Sequence, residues 1–232
     1  MVYYTKIIRE MYRFYGLFGG VNQSSADFEK SVSLGAGVSA IVGRKAAKRL
    51  KADQLYMDGV HYEAARSYYE IIAGGSADEE IVVKLGDCLW AASMSLEAAE
   101  VYASVEDLFG LDVEKIQRIV IGYLRAGKAV ESIGVLKGIL SRLVDLEIDD
   151  MWVYYYLGLA YEQAEEWSEC VRYMSVCIEN GEDDVGACAS VAYALQRLGN
   201  HDTAAHLLEE CLRIEPEYRY AFTVLKKRYK YV

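Results

Sequence analysis

Five cysteines, three histidines and several acidic pairs are the residues in this 232-residue chain that could do chemistry. The cysteines are Cys88, Cys170, Cys177, Cys188 and Cys211. They contain no CxxC pair and have no histidine at metal-ligand spacing, so neither a zinc site nor a redox dithiol is expected. His201 and His206 are five residues apart, which places them on different faces of a helix, and His61 is expected in a turn. Asp149–Asp150 and Asp183–Asp184 precede expected helices, where carboxylates cap free amides and offset the helix dipole. The chain has no P-loop, no GxGxxG and no GxSxG. The expectation is a protein that is not an enzyme, with no cofactor and no metal. An odd number of cysteines without an export signal fits a reducing compartment.

The elements that position these residues come from a repeat. Ala64, Ala98, Ser132, Cys170 and Ala204 return at spacings of 34, 34, 38 and 34. Four residues after each stands a larger apolar side chain: Tyr68, Tyr102, Leu136, Met174 and Leu208. Nine before each stands Leu55, Leu89, Tyr123, Tyr161 or Leu195. Twelve before each stands Ala52, Gly86, Val120, Gly158 or Ala192. The next column back holds Lys51, Leu85, Ile119, Leu157 and Val191, broken only by the lysine. These offsets put one face of each of two helices toward a common core, with small residues where the helices approach. Gly59, Gly127 and Gly199 fall in the turn between the two helices, where a positive φ is needed. The tyrosine-rich run at Val153–Tyr156 keeps helical spacing through Leu157 and Tyr161, so it reads as helix rather than strand.

This pattern resembles the tetratricopeptide repeat family. The last unit carries it best, with Val191–Ala192–Leu195, Gly199–Asn200–His201, Ala204, Leu208 and Pro216. The fourth follows with Leu157–Gly158–Tyr161, Trp167 and Cys170. The family's closing proline is present only at Pro216. Four extra residues near Leu143–Asp150 predict a longer helix or a looser turn. The resemblance implies an all-α, right-handed α-solenoid of about five helix pairs. Residues 45–217 form it, with repeats near 45–77, 78–111, 112–149, 150–183 and 184–217. A helical arm over 1–44 precedes it, and a capping helix over 218–232 with a basic end follows.

Charge is uneven. Residues 1–51 hold nine Lys/Arg against three Asp/Glu, residues 52–219 hold twelve against thirty-two, and residues 220–232 hold four against none. An acidic body with basic ends argues against nucleic acid, which demands a concentrated basic surface. It suits either a solvated exterior or a basic partner. In the arm, Tyr3, Ile7, Met11, Phe14 and Phe18 share one helical face, and Lys6 and Arg13 lie off it. The uncharged stretch Ser31–Gly43 is too short to span a bilayer as a helix. The arm either caps the open end of the solenoid or docks on a membrane or a second copy. Cytoplasmic residence is expected, peripheral on a membrane's cytoplasmic face if the arm docks there.

In the resemblance, partners lie in the concave groove lined by the first helix of each repeat. The matching positions are Tyr56, Met57, Val83, Asp87, Trp90, Gln117, Ile121, Leu124, Arg125, Trp152, Tyr155, Leu159, Tyr193 and Arg197. Aromatic and arginine side chains of this kind anchor protein interfaces. The other reading of Trp90 and Trp152 is packing between helices. Some family members clamp a chaperone's C-terminal carboxylates with Lys and Asn. Here Asp53 and Asp87 stand at the Asn places, so that partner is excluded despite Arg49, Lys84 and Arg118. Three functions follow from the resemblance. One is an adaptor or scaffold that takes a partner's peptide segment. Another is a self-assembling organiser on a membrane or organelle surface. It resembles the magnetosome-associated tetratricopeptide proteins in its order of segments and at Tyr15–Gly16–Leu17. The third is a secretion chaperone.

Overall fold

The computed structural model describes residues 36–75, 78–105, 112–145, 150–180 and 185–217. Every regular element among them is an α-helix. In chain order these are α1 (Ala36–Met57), α2 (His61–Ala73), α3 (Glu79–Ala91), α4 (Ser95–Tyr102) and α5 (Val113–Arg125). They continue with α6 (Ala129–Asp145), α7 (Met151–Gln163), α8 (Trp167–Glu179), α9 (Val185–Arg197) and α10 (His201–Ile214). The expected arm residues Tyr3, Lys6, Ile7, Met11, Arg13, Phe14 and Phe18 lie outside the described residues. So do the expected cap over 218–232 and the acidic residues Asp149, Asp183 and Asp184.

The chain forms two compact units that divide between Gly122 and Tyr123. In unit 1, α1 packs on α2, α2 on α3 and α3 on α4. In unit 2, each of α6 to α9 packs on the next helix, and α7 also touches α9. The sequence columns form both cores. Ala64, Ala98, Ser132, Cys170 and Ala204 are each fully buried, as are Tyr68, Tyr102, Leu136 and Met174. A buried Leu or Met of this kind contributes roughly 1.5–3 kcal/mol over leaving it in water. All five cysteines are buried thiols outside any disulfide. Burial pushes the thiols of Cys88, Cys170 and Cys211 up to about 12, which keeps them protonated.

Size is balanced between columns sixteen residues apart. A Cβ on Gly86 would lie 2.5 Å from the Tyr102 ring, and one on Gly158 would lie 2.5 Å from Met174. The small residue of one helix is therefore the seat of the large residue of the next.

Each helix pair is joined by the same turn. The backbone N–H of Val60, Met94, Lys128, Glu166 and Asn200 donates to the carbonyl of Leu55, Leu89, Tyr123, Tyr161 and Leu195, respectively, at 2.8–2.9 Å. This closes the helix in the Schellman manner, which needs a left-handed residue at the turn. Gly59, Gly127 and Gly199 supply it with φ of +72°, +72° and +84°. Ser93 and Glu165 hold the same place with φ of +64° and +59°.

Three expectations change. α1 runs unbroken through residues 44 and 45, so the expected boundary between them falls inside a helix. The small and apolar residues of this stretch continue the helix despite Gly37 and Gly43. His61 is the first residue of α2 rather than part of the turn. Asp150 does not cap α7 with its side chain. Its Oδ2 instead accepts the Trp152 indole N–H at 2.7 Å. The four extra residues lengthen a helix, since α6 has 17 residues where α2 and α8 have 13.

Candidate functional site

Unit 1 presents a charged cleft on its first helices. Asp78 accepts the Ile81 amide at 2.9 Å and starts α3, and Asp112 accepts the Lys115 amide at 2.9 Å at the start of α5. These caps satisfy amides that the helix leaves unpaired. The 3.6-residue period then turns Glu80, Val83, Lys84 and Asp87 toward a common side. An open cleft of about 510 Å³ is lined by Tyr56, Glu79, Glu80, Val83, Lys84, Asp87, Asp112 and Lys115. Three expected groove residues, Tyr56, Val83 and Asp87, are thus brought together.

Around them runs a triad that is repeated with a shift of 34 residues. Asp53 Oδ1 accepts the Tyr68 hydroxyl at 2.7 Å and the Lys84 ammonium at 2.8 Å. Asp87 Oδ1 accepts the Tyr102 hydroxyl at 2.5 Å and the Arg118 guanidinium at 3.1 Å, and its Oδ2 takes the Tyr56 hydroxyl at 3.4 Å. Each triad ties three helices together. Burial alone would raise the Asp53 carboxyl, but the bonds from Lys84 and Tyr68 and the charges of Lys84 and Arg49 hold it below the usual range. Bonds from Lys84 and Arg49 do the same for Glu80, and bonds from Lys115 for Asp112. Burial and the bond to Asp87 push the Tyr102 phenol up.

The cations here are occupied. Lys84 also binds Glu80 at 2.8 Å, Arg49 binds Asp78 at 2.7 Å and Glu80 at 2.6 Å, and Lys115 pairs with Asp112. Arg118 binds Glu114 at 2.5 Å and stacks 5.5 Å over the half-buried Trp90 ring. Of the other expected groove residues in unit 1, Gln117 and Ile121 are half-buried on α5. Met57 is 79% exposed at the end of α1, outside the cleft.

Unit 2 presents aromatic rings instead. Trp152, Tyr155 and Leu159 are half-buried on α7. Trp152 and Tyr155 each meet Tyr156 edge-on, at ring separations of 6.1 and 5.8 Å. Tyr193 on α9 meets Trp167 edge-on at 5.5 Å, and the Arg197 guanidinium stacks 5.1 Å over the same indole. Edge-to-face pairs and a cation over an indole hold these side chains in place. Leu124 is half-buried and its carbonyl accepts Gln163 Nε2 at 2.9 Å, while Arg125 is exposed.

Sequence reasoning missed Glu79, Glu80, Asp112 and Lys115 in the cleft, and Tyr156 and Trp167 in the aromatic array. The signal for the cleft was present: Asp53, Tyr68 and Lys84 recur as Asp87, Tyr102 and Arg118. Among the described residues no group of three or more His, Cys, Asp or Glu could hold a metal ion. Among them too, no helix is long and apolar enough to cross a membrane.

Solved structures share this architecture. MamA 41-end from Desulfovibrio magneticus RS-1 is 20% identical, covers 75% of this chain and 96% of its own, and superposes with a TM-score of 0.57. MamA MSR-1 is 15% identical, with 75% and 97% covered and a TM-score of 0.57. YrrB, described as a TPR protein with an unusual peptide-binding site, is 14% identical, with 75% and 88% covered and a TM-score of 0.61. The fold is an all-α array of tetratricopeptide-type helix pairs. No protein-family model and no curated protein matches the chain.

Proposed function

We propose that this chain is a non-enzymatic interaction scaffold that takes an extended or helical segment of a partner protein on the exposed face of its first helices. The observation that carries this is the array on α7 and α9. Trp152, Tyr155, Tyr193 and Arg197 are side chains of the type that anchor interfaces, held by neighbouring rings yet only half-buried or exposed. Rigid rings lose little side-chain entropy when a partner covers them. The fold-level likeness to YrrB, whose description includes a peptide-binding site, supports the reading.

Selection of a random peptide display library on the full chain tests it. Enriched peptides should carry apolar anchors, and Trp152→Ala with Tyr155→Ala should abolish their binding without loss of helicity. Substitution of Arg172, exposed on α8, should leave binding intact. Equal binding by the Trp152/Tyr155 variant contradicts the proposal.

The organiser reading draws on the order of segments and on the MamA fold. It depends on residues 1–35, outside the described structure. Light scattering of the full chain and of a chain starting at Ala36, which keeps α1 whole, separates an assembly arm from a simple cap. Large assemblies of the full chain that vanish on truncation favour the organiser.

A further inference from the structure

We infer that the cleft of unit 1 receives a basic side chain of a partner segment, an arginine or lysine flanked by an apolar residue. The inference rests on the reading of the first-helix face as the interaction surface.

A groove that holds a partner's carboxylate needs a free cation. Here each cation at the cleft is held by the chain's own carboxylates: Lys84 by Asp53 and Glu80, Arg118 by Asp87 and Glu114, Lys115 by Asp112. To bind an anion, Lys84 or Arg118 would have to break two charge-assisted bonds. The carboxylates are in excess. The cleft and the network behind it carry four cations, Arg49 among them, against seven carboxylates. Glu79 makes no hydrogen bond or ion pair among the described residues. The carboxylates stand at the rim, where Glu80 is 59% and Asp112 56% exposed. Lower down, Tyr56 and Val83 offer half-buried apolar surface. A long basic side chain fits both features, with its methylenes on Tyr56 and Val83 and its charge among the rim carboxylates. An acidic segment meets like charge at the rim and no free cation.

Fluorescence anisotropy on the full chain tests this with two labelled decapeptides of equal apolar content, one carrying Arg and Lys, the other Asp and Glu. The basic probe should bind, more weakly as salt rises, and the acidic probe should not. Glu79→Gln with Glu80→Gln should weaken the basic probe about tenfold. Glu79→Gln alone, at an exposed residue, should weaken it in the same direction with an unchanged melting temperature. Glu209→Gln with Glu210→Gln, in unit 2, should have no effect.

Equal binding of both probes overturns the inference. So does a basic probe indifferent to the Glu79/Glu80 change, or one weakened equally by the Glu209/Glu210 change, which would mark attraction to overall negative charge. If display peptides bind through Trp152 and Tyr155 while the basic probe does not bind, the inference fails and the scaffold reading stands. If neither binds, both fail.

Discussion

The first two repeats, both in unit 1, and the repeats that follow them are built on the same columns and fill one of them in opposite ways. In unit 1 the positions of the recurring triad are Asp53, Tyr68 and Lys84, then Asp87, Tyr102 and Arg118, joined by bonds of 2.5–3.1 Å. In the next repeat the first two positions hold Ile121 and Leu136, and the third, displaced by the four extra residues, holds Tyr156. The repeats that follow place Leu159 and Met174, then Tyr193 and Leu208, at the first two of them. The polar lock disappears and aromatic or aliphatic side chains replace it. A helix-pair repeat therefore needs its small and large core columns, whereas the adjoining column is free to become either an ion network or a set of apolar anchors. In the first two repeats that column holds the protein's own helices together. In the later repeats it carries the half-buried Ile121, Leu159 and Tyr193.

The largest effects should come where the units are alike. Ala98→Leu in unit 1 and Ala204→Leu in unit 2 force a branched side chain into a fully buried place and should each cost about 1–3 kcal/mol in a thermal or urea melt. An unchanged midpoint in either would remove that column from the core.

Next comes the place where they differ. Asp87→Ile leaves the Tyr102 hydroxyl and Arg118 short of an acceptor and should cost about 1–2 kcal/mol. Gly86→Val, Asp87→Ile and Tyr102→Leu together copy Val120, Ile121 and Leu136 into the second repeat. That triple variant should recover most of the loss, because partners and volume change together. A triple variant less stable than Asp87→Ile alone would show that the two fillings are not interchangeable.

A smaller gain is expected at the turns. Ser93→Gly and Glu165→Gly relieve a left-handed residue and should each stabilise by about 0.5–1 kcal/mol. If both lower the melting temperature, side-chain contacts outweigh the backbone strain.

Acid should separate the units with the least energy per group. Asp53 and Asp112, ordinarily at 3.8, and Glu80, ordinarily at 4.5, keep their charge to lower pH in the folded chain. Protons then favour the unfolded state, so this stability is complete above those values and is lost as the pH falls below them. All three lie in unit 1. Hydrogen exchange of α3 should accelerate before that of α8 as the pH drops through this window.

The sequence reveals the repeat because packing repeats itself locally. Every small residue of the 34-residue column is fully buried, and the three glycines occupy the left-handed turn. Ser93 and Glu165 hide the same turn, since a residue type does not show its φ when the surrounding helices impose it. The continuity of α1 through residues 44 and 45 is hidden as well, because the change there from an uncharged stretch to a cationic run does not interrupt the helix. The candidate site was harder to see. Its triads join residues 15 and 31 positions apart on three helices, a spacing that no helical period displays. Tyr56 and Val83 were visible as groove residues, but the state of Asp87 was not. Only the structure shows that its carboxylate is already occupied.

Residue-resolved hydrogen exchange, with and without a peptide selected on the full chain, tests the central claim most directly. Protection confined to the first helices, above all α7 and α9, is the predicted result. Protection confined to α8 and α10, with α7 and α9 unchanged, would contradict it.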